Sequence, residues 1–320
     1  MSPVVRRRAY LAFIAVCLIW GTTYLAIKLA LETIPPFTMG GLRYLTGGVI
    51  LALILRLRGV RLPAARDWPP FAVIGLLMLG FGNGGVTYAE QFVPSGLAAV
   101  LIATTPFWMT SVEALVGKGE RLGPRKVVGL AVGFTGILVL VWPDLVASAS
   151  GGSKYGAGIL SLQLACIGWA LGSSYAKRVS QTIDVLAAAA IQMLFGGAWM
   201  LLAAAVVGEL PRLHFNPTTS AALLYLILAG SVAGYAAYAY ALKHLPVSTV
   251  SMYAYINPVI AVTLGTALLG EPFHARMLVA AAIIAAGIAI VRMRGSGGTV
   301  RSASLATHEA PDAVSVRRAG

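Results

Sequence analysis

Trp20, Tyr24 and Lys28 stand four residues apart, and Trp169, Ser173 and Lys177 repeat that spacing in the second half of the chain. Positions four apart share one face of a helix, so each set makes a stripe of aromatic surface, hydroxyl and cation. Asn83, Thr87 and Glu90 lie close to one helical face, Tyr235 and Tyr238 to another, and Tyr253 and Asn257 are one turn apart. Thr104, Thr105 and Trp108 surround Pro106. Together with Trp108, these aromatic, amide and hydroxyl side chains are expected to bind a small amphipathic or aromatic molecule, such as an amino acid whose cationic end approaches a ring face. A polyanion fits such a lining poorly. Covalent chemistry finds no support: His214, His244, His274 and His308 sit in loops or the tail, and no nucleophile motif or carboxylate pair joins them. Cys17 and Cys166 lie in apolar segments without metal-ligand spacing and read as small packing residues. No enzyme activity, metal or cofactor is expected.

The elements that carry these residues must be membrane helices. With 58% hydrophobic and 11% charged residues in 320 and a mean hydropathy of +0.82, the chain has more apolar surface than a water-soluble core can hide. Ten apolar segments of near-crossing length are legible, at 9–31, 37–57, 70–90, 94–116, 125–142, 155–178, 184–207, 218–242, 246–269 and 274–293. Backbone in lipid must satisfy its own hydrogen bonds, and continuous runs of this length do not alternate as barrel strands do, so the expected fold is all-α. The first segment is long, carries Trp20, Tyr24 and Lys28, and lacks a small-residue cleavage site, so it reads as a retained helix. The net charge of +13 sits in short connections and tails rather than along one exposed face, which argues against nucleic acid as a partner.

The chain is one apolar unit written twice. Cys17, Trp20, Lys28, Arg43 and the pair Gly47-Gly48 recur 149 positions on as Cys166, Trp169, Lys177, Gln192 and Gly196-Gly197. Pro94 and Pro106 return at the same separation as Pro246 and Pro258, and the Gly-Glu at Glu120 returns at Glu271. Two repeats follow, 9–142 and 155–293, then a Gly/Ser/Ala-rich tail at 294–320 expected to be disordered. Placing the N-terminus inside assigns 19 Lys and Arg to inner connections and tails and 3 to outer ones, with Lys28 and Arg43 inside spans. Five helices per repeat then turn the second copy upside down and return the C-terminus to the cytoplasm. That inverted architecture points to a transporter.

The stretch Ile19-Trp20-Gly21-Thr22-Thr23-Tyr24, the LRYLTGG around Arg43, the run from Gly82 to Trp108, the two Gly-Glu pairs and SMYAYINPVIAVTLG from Ser251 to Gly265 resemble the EamA family of the drug/metabolite transporter superfamily. The resemblance covers about 9–293 and is specific to the family rather than to a substrate. It implies a ten-helix inner-membrane carrier with helices one to four and six to nine around a central cavity, and five and ten at the periphery. It also implies export of amino acids, other small metabolites or drugs. A flippase for a lipid or lipid-linked substrate is the alternative, and a lateral opening between helices would favour it.

Intramembrane charges are costly unless paired or wet. Lys28, Arg43 and Glu90 fall near the outer ends of their helices and are expected to act as an outer gate of ion pairs, with Glu90 also a candidate for proton coupling; snorkelling to the interface is the simpler reading. Pro106 and Pro258 are expected to break their helices beside the cavity. Glu120 and Glu271 are expected to stabilise the starts of helices five and ten. Tyr10, Trp68, Trp142, Tyr155 and Tyr225 read as interfacial anchors. The expected partners are a small-molecule substrate, membrane lipids and protons, in a monomer or homodimer.

Overall fold

A computed structural model describes residues 2–116, 124–149, 154–179, 183–245, 250 and 253–292. Among them every regular element is helical. Helix α1 spans Pro3–Ala30; its first turn is capped by Ser2, whose Oγ accepts from the Val5 N–H, and carries Pro3 where no N–H is missed. Helix α2 spans Pro36–Leu57. Helix α3 is composite: Pro69–Ile74, a π-helical Gly75–Asn83, then Gly84–Ala89. Helix α4 is broken into Ser95–Ile102 and Thr105–Val116.

Pro124–Ala149 forms α5, Lys154–Val179 α6 and Val185–Val206 α7, the last capped by Asp184, which accepts from the Leu186 and Ala187 N–H groups. Helix α8 mirrors α3 as Pro217–Tyr225, a π-helical Leu226–Ala233 and Gly234–His244. Its start is a reciprocal capping box between Asn216 and Thr219. Tyr253–Leu269 and Ala275–Arg292 are α9 and α10. Glu120 and the tail lie outside the described residues.

Six helices among the described residues are long and apolar enough to cross a membrane: α1, α2, α3, α6, α7 and α8. The remaining apolar helices are shorter, over Ser95–Met109, Val127–Gly136, Ile256–Leu269 and Ala275–Gly287. Leu18, Leu53, Phe81, Leu224 and Leu278 project outward, as they would toward hydrocarbon.

The main packing pairs all join one repeat to the other. Helix α1 packs on α8 and α9, and α6 packs on α3 and α4 in the same relation; α2 faces α7, α4 faces α9 and α5 faces α10. This is the contact pattern of two units exchanged by a two-fold axis. The repeated glycine pairs sit where it brings backbones closest: a Cβ on Gly48 would lie 2.9 Å from the Leu194 nitrogen, and one on Gly197 would strike the backbone of Leu45. On α10, Gly287 faces the backbone of Gly129 and Gly133, the small-residue pair of α5.

Candidate functional site: an aromatic cavity between the repeats

A cavity of about 720 Å³ opens between the repeats, a volume ordinary for a small-molecule site. Trp20, Tyr24, Asn83, Trp169, Ser173, Tyr235, Tyr238, Tyr253 and Asn257 all line it. So do Arg43 and Pro106. Thr87 and Trp108 do not. The Thr87 hydroxyl donates to the Gly84 carbonyl within its own helix, and the Trp108 indole donates to Gln163 Oε1 at 3.0 Å.

The two repeat-related tryptophans differ in their surroundings. Trp20 lies 5.6 Å from the ring of Tyr235, 5.1 Å from Tyr238 and 5.0 Å from Tyr253, and its Nε1 donates to the Gly230 carbonyl at 3.1 Å. Trp169 has no comparable ring contact and no hydrogen-bond partner for its indole among the described residues; its ring rests near Gly82. Each tryptophan is set against the π-helical stretch of the opposite repeat, Gly230 in α8 and Gly82 in α3. π-Helical turns are rare and concentrate at functional sites. Sequence reasoning missed both; the glycine clusters around Gly82 and Gly230 were their only trace.

The remaining polar wall is similarly held. Asn257, with its amide nitrogen toward the carbonyls around it, donates to Cys17 at 3.2 Å and Tyr253 at 3.0 Å, tying α9 to α1. Thr104 and Thr105 donate to the carbonyls of Leu101 and Ile102 and lie 3.6 and 3.5 Å from the Cys166 sulfur. Both cysteines are buried and free.

Lys28, Arg43 and Glu90 do not form the ion pairs expected of a gate. The Lys28 ammonium donates to the carbonyls of Glu90 and Val93, at 2.5 and 3.3 Å, and so satisfies the end of α3 and the turn after it. Arg43 instead reaches into the cavity wall, with Nε donating to Ser231 Oγ at 3.1 Å and Cζ 4.8 Å from the Tyr44 ring centroid. The Glu90 carboxyl is fully buried and neither of its oxygens has a hydrogen-bond partner.

Two further expectations are corrected. The break in α4 falls at Ala103–Thr104, leaving Pro106 in the first turn of the next segment, where a missing N–H costs nothing. Its mate Pro258 lies inside an uninterrupted α9, and the carbonyl it leaves without a helical donor is that of Ala254, on the cavity wall. Glu271 does cap a helix, but not α10: it accepts from Ser95 N and Oγ and from Gly96 N at 2.8 to 3.1 Å, at the start of α4. Glu209, which the sequence did not single out, serves α2 in the same way through the Thr38 N–H and hydroxyl.

The family model described as "EamA-like transporter family" matches residues 7–142 and 156–293, once on each half. The chain belongs to the EamA-like transporter family. Among curated relatives of this EamA-like protein is the "Uncharacterized inner membrane transporter YedA" of Escherichia coli (strain K12), 38% identical over 287 residues, covering 88% of this chain and 90% of that protein. A "Probable amino-acid metabolite efflux pump" of Salmonella typhimurium (strain LT2) is 27% identical, covering 89% of this chain and 94% of its own length. A solved crystal structure aligns with a TM-score of 0.63 at 22% identity, covering 89% of this chain and 97% of that one, a likeness of fold alone. With six apolar helices of crossing length and an inner-membrane relative, this EamA-like chain is a multi-pass inner-membrane transporter of the drug/metabolite type.

Proposed function

We propose that this protein is an alternating-access carrier, not an enzyme, that exports small metabolites, aromatic amino acids among them, through the cavity between its repeats. The single observation that carries the reading is the aromatic cavity itself, walled by both repeats, with Trp169, whose indole has no partner among the described residues, and Ser173 on its lining. The relative named as an amino-acid metabolite efflux pump supports both the direction and the substrate class.

In this reading the chain crosses the membrane ten times with both termini in the cytoplasm. The contacts of Glu209 with α2 and of Glu271 with α4, each joining one repeat to the other, then lie toward the outer face, and they form a latch that opens as one repeat rocks against the other. Glu90 is the coupling residue: a fully buried carboxyl without donors is costly to charge, and movement of the repeats changes what it meets.

The test is uptake of labelled amino acids into proteoliposomes with and without an imposed pH gradient. Saturable flux that Trp169→Ala abolishes, with inserted protein unchanged, is the expected result; flux indifferent to that substitution overturns the site. Glu90→Gln should remove the response to the gradient and spare counterflow, and an unaltered response ends the coupling role. The flippase reading rests on the extension of the cavity wall to Gly129 and Gly133 of α5 and Gly287 of α10, beyond the eight central helices. Translocation of a labelled lipid in the same vesicles, without amino-acid flux, would favour it.

A further inference from the structure

Among the described residues of the cavity wall, every side chain is neutral except one. Arg43 is 4% exposed, and no Asp or Glu shares the lining with it. A buried guanidinium without an ion-paired carboxylate is unusual, because its charge must be met by something. Its neighbours meet it only in part. Nε is taken by Ser231 Oγ at 3.1 Å, the Tyr44 ring lies against Cζ at 4.8 Å, and Nη2 packs over Gly230, where an added Cβ would lie 3.1 Å away. These contacts fix the plane of the guanidinium and account for one of its five N–H groups. Glu90 lies within electrostatic reach of it but makes neither a hydrogen bond nor an ion pair with it, so the fork of N–H groups is not engaged by a carboxylate.

The remaining donors belong to a side chain that lines the cavity and is held in one orientation, which is how a planar fork is prepared for a carboxylate. The rings of Trp20, Tyr235 and Tyr238, which line the same cavity, supply an apolar bed. We propose that Arg43 is the anchor for the substrate's anionic group, so that the cavity selects compounds with one carboxylate joined to an aromatic or apolar body. Amines without an acid group are excluded, because their charge would meet Arg43 with nothing to oppose it. Dianions are disfavoured, because a second negative charge finds no second cation among the described residues of the wall. This rests on the reading of the cavity as the transported substrate's site and narrows it: the carboxylate of an amino acid is the feature recognised, and its ammonium is dispensable.

A charge series on one scaffold tests it. Binding of 3-phenylpropionate, 3-phenylpropanamide, 3-phenylpropylamine and phenylsuccinate to the purified full-length protein in detergent can be followed by quenching of tryptophan fluorescence. The acid should bind about tenfold or more tighter than the amide, the scale of a hydrogen bond to a charged group, with the amine and the dianion weaker than the acid. Arg43→Gln should bring the acid down to the level of the amide, and Arg43→Lys should recover part of the difference because it restores charge without the fork. Equal binding of acid and amide, preference for the amine, or no binding of any member to the wild-type protein overturns the proposal; so does an Arg43→Gln protein that still prefers the acid. The wild-type series decides even if the variants do not fold. Flux of the same compounds separates this proposal from the one it rests on. An acid that binds by this pattern but is not carried leaves the anchor standing and removes the transport reading. Flux without preference for the acid does the reverse.

Discussion

Trp20 and Trp169 occupy equivalent places in the two repeats, yet one is built into the wall and the other is left open to the cavity. Trp20 is clasped by the second repeat through three tyrosine rings and the Gly230 carbonyl. Trp169 rests on Gly82 of the first repeat, and its indole N–H has no acceptor among the described residues. The second repeat also lends the first its carboxylates, Glu209 to α2 and Glu271 to α4. A repeated unit thus fixes where groups lie but not what they touch: the residues that have drifted apart between copies, such as Tyr238 and Tyr253, have turned one tryptophan into framework and left the other facing the cavity.

The largest expected effect follows from that division. Trp20→Ala empties an aromatic cluster and strands a carbonyl, and should lower stability by about 3–5 kcal/mol, read as a fall in Tm in detergent. Trp169→Ala should cost about 1 kcal/mol while losing ligand quenching; equal losses of Tm would erase the distinction. A smaller effect comes from the glycines beneath the two rings. A methyl at Gly234 would stand 2.5 Å from Trp20 Nε1, whereas one at Gly82 would stand 3.3 Å from the Trp169 ring. Gly234→Ala should therefore cost about 1–3 kcal/mol through overpacking, and Gly82→Ala less, because an unclasped ring can shift. A Gly82→Ala protein that is the less stable of the two would contradict the looser setting of Trp169. The smallest effect concerns the lent carboxylates. Glu271 serves three donors and Glu209 two, so Glu271→Gln should cost about 1–2 kcal/mol and Glu209→Gln about 1 kcal/mol, again by Tm.

Much of the aromatic and polar part of this wall was legible because a spacing of four residues survives in an unbroken helix. Trp20 and Tyr24 on α1, and Trp169 and Ser173 on α6, line the cavity as the spacing predicts. The misses fall where the period changes. Thr87 lies beyond the π-helical stretch of α3, whose longer turn rotates the residues that follow, and Trp108 lies beyond the break in α4. The partners of charged groups were out of reach for another reason. Arg43 and Ser231 are 188 residues apart, as are Glu271 and Ser95 by 176, and only the crossing of the two repeats brings them together. The chemistry of Glu271 as a helix cap could be inferred from its type; the helix it caps could not.

The capping of α2 and α4 by Glu209 and Glu271 has a consequence for biosynthesis. The chain is made from its N-terminus, so the first five helices are synthesised before either carboxylate exists, and the start of α2 lacks its cap until residue 209 has been made and that of α4 until residue 271. The half-made protein is therefore a set of unfinished helices, and the turn before α10 is what completes the first half.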